Sequence, residues 1–250
     1  MINENFFIGV PVRYKDFCLV YPPTVQDVIA NENFWKFYRI LTISQEDVED
    51  EYFKGNYSID KKIPTPFEYF LASCYNQKEF EKLANLSFEF FTKQKINFLY
   101  REKALIIGDI EEIVPKLENI DELKLFKEED FFEFQNLIRQ SIGDDPAEPY
   151  NDKLHPKIRQ MKAKARERDK IKSKKKGMST LTLLSSICCM GIGINPLNIG
   201  QLSYAAMKIL LQRYQEKEKY DIDIKSILAG ADSKKIKPQY WIKNLEDGGK

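Results

Sequence analysis

Apolar residues along this chain change their spacing several times, and each change predicts an element. Phe6-Phe7-Ile8-Gly9-Val10-Pro11-Val12 and Phe17-Cys18-Leu19-Val20-Tyr21 are β-rich runs around the polar Tyr14-Lys15-Asp16. That pattern predicts a hairpin, with Pro11 keeping its first strand at an edge. Pro22-Pro23 end the unit, and Thr24 with Asp27 supplies a helix cap and an acid for the positive helix end. Val25, Val28, Ile29, Phe34, Phe37, Tyr38 and Leu41 then recur every three to four residues, as on one face of a helix. A second helix is expected after Ser44.

Thr65-Pro66-Phe67-Glu68 is a further start signal, and Phe67, Phe70, Leu71, Cys74, Phe80, Leu83, Leu86 and Phe90 carry the helical period onward. Residues 96–100 and 104–107 predict a second hairpin across Arg101-Glu102-Lys103. An amphipathic helix over 128–142 follows, with Gly143 at its stop. Asp144-Asp145-Pro146-Ala147-Glu148-Pro149 has two prolines, three acids and no apolar period, which places a boundary there. Beyond it the spacing predicts helices over 156–170, 180–190, 199–219 and 222–228, a turn at 191–196 and a terminal helical turn at 238–242. The fold class is mainly α with small β-hairpins (α+β). The expected divisions are an acidic mixed domain at 1–143, an acidic loop and basic connector helix at 144–177, and a helical C-terminal domain at 178–250.

Composition changes this picture in one place. Lys+Arg 39 against Asp+Glu 38 leaves a net charge of +1. Residues 153–176 alone hold twelve Lys/Arg and two acids, a net +10, so everything else carries −9. Near-neutrality hides a strong internal asymmetry. Elsewhere composition mainly excludes. At 43% hydrophobic and 13% aromatic the chain is a folded globular protein. Its opening lacks the apolar run of a signal peptide, and no stretch reaches the roughly 18 apolar residues of a membrane span. Cys18, Cys74, Cys188 and Cys189 lack the spacing of a disulfide framework, so reduced thiols are expected.

Candidate chemistry is sparse. The single histidine, His155, stands beside Pro156 in a polar segment, so a Ser/His or Cys/His nucleophile pair would depend on one poor candidate. Only Cys188 and Cys189 are close in sequence, and adjacent side chains on a helix diverge by about 100°, too far to chelate one ion. Gly191-Ile192-Gly193 lacks the further glycines, preceding strand and Gly-Lys-Ser/Thr ending of a phosphate loop, and reads as an inter-helix turn. The acids at 46–51 and 144–145 do not have the alternating oxygen spacing of a calcium loop. No catalytic residue, cofactor or metal is expected, and the protein is read as a non-enzyme.

The basic segment is the strong signal. Its cations Lys157, Arg159, Lys162, Lys164, Arg166, Arg168, Lys170 and Lys172 surround a thin apolar stripe of Ile158, Met161 and Ala165. Three readings compete: a nucleic-acid backbone site driven by counterion release, docking onto an acidic partner or the acidic part of the same chain, and a solvated linker helix. No aromatic residues interleave the cations to stack on bases, which weights the choice toward protein contact or linker.

Three stretches together resemble small proteins of the tail modules of tailed bacteriophages. They are the opening 8–24 (Ile-Gly-Val-Pro-Val-Arg-Tyr-Lys-Asp-Phe-Cys-Leu-Val-Tyr-Pro-Pro-Thr), the run 155–166, and the close from Leu228-Ala-Gly-Ala-Asp232 to Trp241-Ile-Lys-Asn244. The resemblance is one of texture over most of the chain and carries no exact motif. It implies a tail assembly chaperone or a tail or baseplate structural protein. Such a protein would contact tape-measure or baseplate proteins, with homo-oligomers as further partners and no membrane; a nucleic-acid-binding protein using the basic helix 153–176 is the second choice. Its expected place is the host cytoplasm during assembly, or the virion.

Overall fold

A computed structural model describes residues 3–54, 63–109, 124–147, 156–173, 179–231, 236 and 238–242. The protein is mainly α, with two small antiparallel hairpins among the described residues. Among the described residues the helices are α1 (Glu4–Phe7), α2 (Val25–Ala30), α3 (Phe34–Leu41), α4 (Gln45–Lys54), α5 (Pro66–Asn76), α6 (Lys78–Thr92), α7 (Glu128–Ser141), α8 (Pro156–Ser173), α9 (Thr180–Cys188) and α10 (Tyr204–Leu228). The strands are β1 (Val12–Tyr14), β2 (Cys18–Val20), β3 (Ile96–Leu99) and β4 (Ala104–Ile107).

Local chemistry fixes most of these ends. Thr24 and Thr65 each close a reciprocal capping box, with Asp27 and Glu68 reaching back to the cap amide. Each such cap is worth about 1 kcal/mol. Gly143 takes φ +74° after α7, a left-handed conformation that glycine adopts without strain. It also lets the chain pass close to α10, since a Cβ there would lie 3.1 Å from the Ala205 Cα.

Several expectations are corrected. The opening run does not form one long strand. Asn3 caps a short helix by accepting from the Asn5 amide, and Phe6 is buried by it. Pairing is confined to Val12↔Val20 through Tyr14↔Cys18. The expected helix over 25–41 breaks at Asn31, whose side chain accepts from the Asn33 amide while its backbone turns extended. The run from 66 breaks at Gln77, which is also extended. Conversely, 199–219 and 222–228 are not two helices. A short 3-10 turn at Ile199–Gln201 precedes α10, which Ser203 caps and which runs unbroken to Leu228. Nothing between 219 and 222 breaks it, and Lys217 pairs with Asp221 one turn on at 2.8 Å. Residues 238–242 form no helical turn. Their aromatic anchoring survives through the Tyr240–Tyr220 ring contact, and the Trp241 carbonyl accepts from Arg213.

The core is built of phenylalanine. Phe34, Phe70, Phe88, Phe91, Phe126, Phe131 and Phe134 are fully buried, and α6 lies at the centre, packed by α3, α5 and the first hairpin. Phe134 from α7 stacks on Phe88 with ring centroids 4.9 Å apart. A smaller cluster of Val25, Ile187, Ile199 and Met207 joins α2, α9 and α10. Contacts cross the expected boundary at 144–177: Ala205 belongs to the main core, and the Tyr204 amide donates to the Pro23 carbonyl at 2.8 Å. Asp144 accepts from Tyr38 of α3 and from Lys208 of α10, clasping both sides.

Candidate partner-docking helix

The basic segment is a built element. Helix α8 lies along α4, and the geometry of α4 explains why. Ser44 caps α4 by donating to Asp47 and accepting from its amide. That engages Asp47 in the cap and leaves Glu46, Glu49 and Asp50 at positions i, i+3 and i+4, which share one face. On α8, Arg159 and Arg166 are seven residues apart and therefore also share one face. The two faces meet.

Arg166 donates to Asp50 Oδ1 from both Nε, at 3.2 Å, and Nη2, at 2.8 Å. Its Nη1 lies 3.3 Å from Glu46 Oε1 and its Nη2 lies 3.7 Å from Glu49 Oε2. Arg159 Nη1 approaches the other Glu49 oxygen at 3.8 Å. The Glu49 side chain is only 2% exposed and that of Asp50 9%, while Glu46 is 57% exposed, so Glu49 and Asp50 are the desolvated charges that depend on the arginines. Burial opposes the charge on Arg166, but the carboxylates of Asp50, Glu46 and Glu49 outweigh that and hold its pKa above the ordinary value. Guanidinium suits this role because one rigid fork reaches three carboxylates at once.

The predicted site residues therefore divide. Arg159 and Arg166 turn inward and are half-buried, while Lys157, Lys162 and Lys164 are exposed. The side chains of Arg168, Lys170 and Lys172, and all of His155, lie outside the described residues. Of the three readings of the basic segment, docking onto the chain's own acidic part is the one these ion pairs realise. The apolar stripe behaves unexpectedly. Ile158 is 46% and Met161 71% exposed, so the stripe is not what seats the helix. Sequence reasoning missed this because arginine and lysine count alike in a charge pattern. The signal was present in the seven-residue spacing of the arginines and the matching acid spacing on residues 46–50.

Other candidates are dispersed. Cys18 and Cys74 are buried in the core, Cys188 is half-buried and Cys189 exposed. Burial pushes the Cys18 and Cys74 thiols up to about 12. Among the described residues no group of three His, Cys, Asp or Glu is placed to hold a metal ion, and no helix is long and apolar enough to cross a membrane. Gly191 and Gly193 both take positive φ in the turn after α9. An open cleft of about 1470 Å³ lies between α5 and the β3–β4 hairpin, lined by Tyr75, Phe98 and Tyr100 with charges of both signs at its rim.

The arrangement defines a class: a mainly helical protein with a basic helix seated on its own acids. Comparison narrows this for one part of the chain. Residues 172–246 match the family model described as the YomV second domain, a phage-derived domain family, and the match is consistent with a phage protein. No curated protein and no solved structure matches the chain.

Proposed function

We propose that this protein is a non-enzymatic assembly factor of a tailed phage. It acts by protein–protein contact on tail components such as tape-measure or baseplate proteins, as an assembly chaperone or as a virion component. The observation that carries the reading is the seating of α8. A solvated linker has no need of a buried glutamate and two inward arginines, whereas a docking ledge must be held in one place. The seat at Glu49 and Asp50 fixes the helix and leaves Lys162 and Lys164 outward. The phage-derived family matched by residues 172–246 supports the phage setting.

The test is genetic and biochemical. Deleting the gene from the source phage should abolish tail formation, and mass spectrometry of purified virions then separates the two roles. Protein present in the particle means a structural component; absence from the particle combined with the assembly defect means a chaperone. Normal particles from the deletion strain would remove the proposal.

A further inference from the structure

The way α8 is seated inverts the usual orientation of an amphipathic helix. Its charged face, carrying Arg159 and Arg166, points at the body, and its apolar stripe of Ile158, Met161 and Ala165 points away. At about 100° per residue, Ile158 and Ala165 each sit a quarter turn or more round the helix from the arginines, and Met161 sits almost opposite them. Exposed Lys162 and Lys164 flank the stripe, one on each side. The outer face is thus an apolar ridge with an ammonium group at each edge.

We infer that this face docks an acidic amphipathic helix of another protein, with an apolar stripe to cover Met161 and Ile158 and carboxylates on both flanks to meet the lysines. The inference rests on the contact reading proposed above and names the chemistry of the partner. Charge selects among occupants. A second copy of the same helix is repelled, since the segment 153–176 carries +10. A phosphate backbone would pair with the lysines but leave Met161, which is 71% exposed, without an apolar partner. A membrane surface calls for a broad apolar face with Trp, Phe or Leu, and this stripe has one isoleucine, one methionine and one alanine. An acidic helix with a narrow seam satisfies both the lysines and the ridge.

The test uses the full chain and a fluorescein-labelled synthetic helix of about 20 residues with Leu at the a and d positions and Glu at e and g. The same helix with Lys in place of Glu, a short DNA duplex and phosphatidylglycerol vesicles serve as competing probes. Binding of the acidic helix is expected, with none of the lysine helix. Met161→Asp alone, and Lys162→Glu with Lys164→Glu, should each weaken it about tenfold or more, the loss of a central contact or of a pair of flanking charges. A methyl chemical-shift change at Met161 in the unsubstituted protein reads the same contact without any variant. The inference fails if the acidic helix does not bind at low salt, if the Met161 methyl does not respond, or if DNA or vesicles bind more tightly and Met161→Asp leaves them unaffected. A tail-assembly defect on gene deletion, with no binding of the acidic helix, would sink this inference alone. Binding with normal assembly would sink the assembly role alone.

Discussion

Replacing Arg166 by alanine isolates the seat of α8. The side chain makes two charge-assisted hydrogen bonds to Asp50, and lies close to Glu46 and Glu49. Such bonds are worth about 1.5–3 kcal/mol each, and stranding a buried charge costs about 3–5 kcal/mol. Arg166 is 22% exposed, so water enters once it is removed, and Arg159 still faces Glu49. Both reduce the cost, which settles at about 2–3 kcal/mol. Because α8 rests chiefly on α4, the loss should appear as local detachment and not as global unfolding. Amide hydrogen exchange over 156–173 should therefore speed up about 30- to 150-fold, with α6 and α7 unchanged. Arg166→Lys should recover only part of this, since an ammonium cannot fork between carboxylates. Exchange in α8 identical to the parent protein would refute the reasoning, for the ion pairs would then not be what holds the helix.

Truncating Phe134 to alanine in the stacked pair with Phe88 should cost about 3–5 kcal/mol in urea unfolding. Gly143→Ala should cost about 1–3 kcal/mol, from a side chain at φ +74° and a Cβ 3.1 Å from the Ala205 Cα; unchanged stability would mean that α7 and α10 do not approach closely there. Cys18 and Cys74 have thiols raised from an ordinary 9.0 to about 12 in the folded state. Folding therefore favours their protonated form, so this contribution to stability is complete below pH 9.0 and is lost as pH rises from there to about 12. The alkaline slope of a stability curve should flatten when both are replaced by alanine. At neutral pH a thiol reagent should modify Cys189 quickly and Cys18 and Cys74 only on unfolding.

What the sequence made legible was whatever local chemistry decides. Thr24 and Thr65 announced their helices because a hydroxyl followed three residues later by an acid is a self-contained cap. The hairpin at 96–107 was visible for a similar reason, two β-rich runs around three charged residues. The N-terminal run misled because its residues favour strands, while Asn3 and the burial of Phe6 favour a helical turn. The length of α10 was hidden by a polar stretch that carries no breaker, and polar residues continue the helix through pairs such as Lys217–Asp221. The seat of α8 needed knowledge that no local window holds: Arg166 and Asp50 are 116 residues apart. The spacing of Arg159 and Arg166 and that of the acids at 46–50 could each be read locally; that the two faces meet could not.

What touches Met161 in the cell decides whether the outer face of α8 docks a partner protein. A photo-crosslinking residue placed at position 161 of the full chain, in cells producing the proposed phage, should couple to a different protein at an acidic helical segment. High salt and Lys164→Glu should weaken that coupling. Coupling to nucleic acid, or only to this chain itself, would contradict the claim that the outer face of α8 is a surface for a partner protein.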